Sequence, residues 1–87
     1  MLSIRDCLDY CDLTDDEIAL IAEHERIPNI AAAHIACGMV QTVEGLALLG
    51  RYLEELAERA TVSGQADKAA RARAFHTRLK AIHPVHP

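Results

Sequence analysis

Leu46, Leu49, Leu53, Leu56 and Ala60 recur at alternating spacings of three and four. That is the a and d pattern of a heptad, a stripe that a helix buries only against another helix. The period predicts a helix running to about residue 60, with Thr42 followed by Glu44 as its start signal. Glu55 and Arg59 sit four apart on its outer face, a favourable ion-pair spacing. Gly45 and Gly50 interrupt it, each weakening the helix by up to ~1 kcal/mol relative to alanine. A turn at 61–65 follows. Ala69, Ala72, Phe75, Leu79 and Ile82 then form the packing side of a second helix over about 65–83. Two helices of roughly 18 residues, about 27 Å at 1.5 Å per residue, make an antiparallel hairpin. Pro84 ends it, and residues 83–87 read as a frayed tail.

The N-terminal half supplies shorter helices to cover this pair. Thr14 with Glu17 is a capping box, and Leu13 with Ile18 has the spacing of a hydrophobic staple. Asp15, Asp16 and Glu17 add negative charge at the positive end of the helix dipole. Pro28 closes a helix over about 15–26, because the residue before a proline is pushed out of helical geometry. Leu20, Ile21, His24 and Ile27 share one side of it, with Ile18 completing the stripe. Before it, Ile4, Cys7, Leu8 and Cys11 recur as one face of a short helix. After it, residues 30–40 are apolar nearly all round, the pattern of a buried helix, and their alanines and Gly38 allow neighbours to approach closely. The expectation is one all-α domain over residues 1–87. It is a bundle of about five helices, three short N-terminal ones packed on the long C-terminal hairpin.

Composition limits what such a bundle does. The chain is 51% apolar, but much of that is alanine and only Tyr10, Tyr52 and Phe75 are aromatic. Alanine favours helix yet buries little area, so the monomer core is thin, and homo-oligomerisation is the expected remedy. Leu48 and Tyr52 lie off the leucine seam and mark a second contacted side. Up to Val62 there are twelve acids against four bases; from Ser63 on there are five bases against Asp67. The plain reading is an acidic body neutralised by a basic helix within the chain or across a dimer, with Lys68, Arg71, Arg78 and Lys80 on a solvated face. A net charge of −4 and the lack of aromatic stacking platforms argue against a nucleic-acid surface, of which Lys68, Arg71 and Arg78 would be the contacts. No apolar run is long enough to span a bilayer, and no signal-peptide core begins the chain. Three cysteines form no disulfide framework, so reduced thiols in a cytoplasmic, bacterial protein are the expectation.

Few residues offer chemistry. His24 and His34 interrupt apolar faces on helices joined at Pro28. With Glu17 they would give a mixed carboxylate–imidazole metal site or a proton-transfer pair. The competing reading is a histidine hydrogen-bonded to a neighbouring carbonyl or carboxylate. Cys7, Cys11 and Cys37 with His34 would make a Cys3His zinc set, against which stands the ordinary role of cysteine as a small core residue. The di-iron signature is missing, since no Glu stands three before a His. Ser3 and Ser63 read as helix caps, and no nucleophile elbow or phosphate loop is present.

The run Leu13-Thr-Asp-Asp-Glu-Ile18 through Ala22-Glu-His-Glu-Arg-Ile-Pro28 resembles a group of short, uncharacterised bacterial all-helical proteins. The resemblance covers about the first third of the chain; it implies a compact all-α protein and transfers no catalytic residue. The functional expectation is an interaction or accessory protein, homodimeric and without catalysis or cofactor. Its contact face would include Leu48, Tyr52, Arg71 and Arg78, and a metal-binding protein is the alternative.

Overall fold

The computed structural model describes residues 12–82, and all regular structure among them is helical. The helices are α1 (Asp15–Glu25), α2 (Asn29–Met39), α3 (Val43–Val62) and α4 (Ala66–Ile82). The helix expected over 3–11, with Cys7 and Cys11, and the tail at 83–87 lie outside the described residues. No described helix is long and apolar enough to cross a membrane.

Local signals set the helix ends. The Thr14 hydroxyl accepts from the Glu17 amide at 3.2 Å, and the Thr14 amide donates to Glu17 Oε1 at 2.9 Å, so the capping box forms in both directions. Leu13 and Ile18 are both buried, as a staple requires. Arg26 ends α1 in the left-handed region at φ 57°, and the Ile27 amide bonds back to the Ala22 carbonyl. Thr42 caps α3 by accepting from the Gly45 amide at 2.9 Å. Gly64, at φ +76°, reverses the chain between α3 and α4.

α3 and α4 pack along their lengths and run in opposite directions: Arg73 meets Thr61 while the later His76 meets Gly50 and Glu54. Leu49, Leu53, Leu56 and Ala60 of the heptad are buried against Ala69, Ala72, Phe75 and Leu79, with Leu46 partly buried at the rim. α1 rests on α2 and α4, and α2 on α1 and α3. Gly45 is what lets α3 begin so close to the end of α2. A Cβ there would stand 2.0 Å from the Met39 carbonyl oxygen, so the glycine that weakens the helix is the residue the corner requires.

Three expectations are corrected. α2 is not buried all round: Ala32, Ala33, Ala36 and Cys37 face inward, while Ile30 and Ile35 are 48% and 53% exposed. Close helix approach admits only small side chains, so the larger ones are turned out. The basic face of α4 is not merely solvated, because Arg71 and Arg78 reach across to α1. Glu55 and Arg59, both exposed, form no ion pair.

Candidate interaction surface

Glu17, the only buried charged residue described, is held at the α1–α4 contact. Arg78 grips its carboxylate with both prongs, Nε to Oε2 and Nη2 to Oε1, each at 2.6 Å, and Nη2 also donates to the Asp12 carbonyl. Oε1 still accepts the Thr14 amide, so one side chain caps α1 and ties it to α4. Hydrogen bonding to Glu17 holds the Arg78 guanidinium above its ordinary pKa, against the opposing effect of desolvation. One turn-pair earlier on α4, Arg71 donates to Glu23 Oε1 at 3.2 Å. Between these ties lies a groove of about 410 Å³ lined by Thr14, Leu20, Arg71, Phe75 and Arg78. Both arginines at its mouth are matched by carboxylates of the same chain, so it offers no uncompensated charge to an anion.

Three more titratable residues, Tyr52, His24 and His76, lie at helix contacts. Tyr52 donates to Glu25 Oε2 at 2.8 Å, joining α3 to α1. Burial, followed by that hydrogen bond to a carboxylate, pushes the phenol well above its ordinary pKa, which keeps the proton in place. His24 packs edge-on against the Tyr52 ring, centroids 5.8 Å apart and planes at 75°, with Nε2 3.9 Å from Glu25 Oε2. Tyr52, expected on an intermolecular face, therefore spends that face within the chain. His76 lies between α3 and α4 with Nε2 3.9 Å from Glu54, and a Cβ on Gly50 would touch it at 3.3 Å.

The residues named as metal ligands are placed apart by role: Glu17 in its arginine clamp, His24 on Tyr52, and His34 exposed on α2. Among the described residues, no group of three or more His, Cys, Asp or Glu side chains is arranged to hold a metal ion. Cys37 is buried on the inner face of α2, and its proposed zinc partners Cys7 and Cys11 fall outside the described residues.

Among the described residues, the exposed large apolar side chains are Ile30 and Ile35 of α2, on the helix joined by a short turn to α3, and Val43 (66%), Leu48 (55%) and Val62 (88%) of α3, the last at its far end. α2 carries no Asp, Glu, Lys or Arg from Asn29 to Met39. At 100° per residue, its exposed or half-exposed positions Ile30, Ala31, His34, Ile35 and Gly38 fall in an arc of about 140°. Gly38 lies mid-arc, with open space where its Cβ would be, and the isoleucines form the two edges. Of this surface, sequence reasoning named only Leu48. No local spacing marked it, since the run from Ile30 to Val40 is apolar nearly all round. Comparison with protein-family models, with curated proteins and with solved structures finds no match to this chain.

Proposed function

We propose that this chain is a small helical interaction or accessory protein that acts as a homodimer through the open α2–α3 face, without catalysis. The observation that carries the reading is the run of four large apolar side chains, Ile30, Ile35, Val43 and Leu48, each about half exposed or more on consecutive helices. Single exposed leucines are ordinary on any protein. A helix face without Asp, Glu, Lys or Arg, followed by exposed apolar residues on the next helix, is the composition of a contact surface. The reading is further supported by the residues best suited to chemistry: Glu17, His24 and Tyr52 are engaged in joining α1 to its neighbours. The five-helix arrangement, with a first helix over 3–11, belongs to the same proposal. So does a cytoplasmic setting, supported by three cysteines without a disulfide framework.

Light scattering coupled to size exclusion, over a hundredfold range of protein concentration, tests it. A dimer loses mass on dilution, and its thermal midpoint rises with concentration, because association stabilises the folded state by mass action. A one-chain mass at every concentration, with a fixed midpoint, removes the homodimer.

A further inference from the structure

We infer that the surface seated on α2 is α2 of a second copy, lying antiparallel across it with Ala31 of each chain against Gly38 of the other. The inference rests on the homodimer reading above and adds the face, the direction and the register.

The first argument is shape. The middle of the exposed arc on α2 holds the small groups Ala31 and Gly38 beside His34, between the raised edges Ile30 and Ile35. Among the described residues, nothing beyond Gly38's own stretch of helix lies within 4 Å of its Cβ position, so the notch is open there. A two-fold axis near residues 34 and 35 turns the face onto itself, as isologous dimers require. Ala31 then opposes the copy's Gly38 and the axes come close. Ile30 of each chain lies alongside Gly38 of the other.

The second argument is charge. A helix without Asp, Glu, Lys or Arg offers little to a strongly charged partner, and with His34 neutral its own copy brings no like charge to the contact. With Glu23 tied to Arg71 and Glu25 to Tyr52, the flanks keep one further charge each, of opposite sign: Arg26 lies three residues before α2 and Glu44 five residues after it. Both are exposed, and neither side chain has a partner among the described residues. Antiparallel pairing brings Arg26 of one chain to the end where the other carries Glu44, twice by symmetry; parallel pairing sets like against like. α2 also starts at Pro28 with no side-chain cap and no acid in its first turn. A partner's Glu44 at that end supplies the negative charge that the helix dipole favours.

The test uses the full chain and its dissociation constant from sedimentation equilibrium. Gly38→Gln adds a good helix former where the chain has room, so helicity and dilute-solution thermal midpoint hold or rise. The dissociation constant rises at least tenfold, because the notch is filled. Arg26→Glu and Glu44→Arg each weaken the dimer several-fold, and the double charge swap returns it to within about twofold of the parent. A dimer unchanged by Gly38→Gln and by both single charge variants overturns the α2 contact while leaving the homodimer reading standing. A double swap no tighter than the singles overturns the antiparallel register. A parent chain that stays monomeric throughout overturns both readings.

Discussion

Glu17 and Arg78 are the place where one change separates two contributions to stability. Glu17→Gln keeps a side chain able to complete the capping box with Thr14 but removes the charge that Arg78 grips. The Glu17 side chain is 9% exposed and that of Arg78 is 39%, so the pair sits between the buried and surface limits. Breaking a buried pair costs ~3–5 kcal/mol and a surface pair ~0–1 kcal/mol; Arg78's access to water sets the expected loss at about 1–2 kcal/mol. Arg78→Met keeps an apolar side chain in the groove wall but leaves the carboxylate buried with the Thr14 amide as its remaining donor among the described residues. That raises the loss to about 2–3 kcal/mol. An 87-residue domain at ~0.05–0.15 kcal/mol per residue has about 4–13 kcal/mol in all, so either loss is a large share. At ~4–8 °C per kcal/mol, Glu17→Gln lowers the thermal midpoint by about 4–16 °C. The assay is urea unfolding followed by circular dichroism, at one fixed protein concentration, for both single variants and the double. The cycle is expected to return a coupling of about 1–2 kcal/mol, with Arg78→Met the costlier single change. Additive losses within ~0.3 kcal/mol, or a Glu17→Gln loss as large as that of Arg78→Met, would refute the reasoning.

Gly45→Ala is expected to destabilise by about 1–3 kcal/mol despite alanine's better helix propensity, because the new methyl meets the Met39 carbonyl. A neutral result in chemical denaturation would show that the corner yields freely. Leu53→Ala, at a position with no exposure, is expected to cost about 2–5 kcal/mol in the same assay. In a Tyr10→Phe background, the phenolate absorbance of Tyr52 is expected to appear only well above the ordinary tyrosine range near pH 10. Since the folded pKa is raised above the unfolded one, this group's contribution to stability is fully present below about pH 10. It is lost as pH climbs through the folded value. Ionisation at the ordinary value would mean that the Glu25 bond is not kept in solution.

Much of the secondary structure could be read before any coordinates. The capping box at Thr14 and Glu17 and the cap at Thr42 are interactions between residues three apart, so they belong to the chain itself. The leucine heptad is likewise a local period, and four of its five members, Leu49, Leu53, Leu56 and Ala60, are buried in α3. The candidate surface was far less legible. A run such as Ile30–Val40, apolar on every side, has no period from which to tell its inner face from its outer one. Alanine compounds the ambiguity, since it serves equally on a surface and in the tightest part of a core.

By itself, the sequence determined where helices begin and end and which side of α3 is covered, because capping and heptad spacing act over one or two turns. Only the tertiary structure decided the rest. It turned the isoleucines of α2 outward, because the face packed on α1 and α3 is made of the small residues Ala32, Ala33, Ala36 and Cys37. It made Gly45 a requirement by bringing the Met39 carbonyl to where a methyl would be. It also joined Glu17 to Arg78 across 61 residues, a pairing that no local spacing encodes and that depends on how α1 lies on α4.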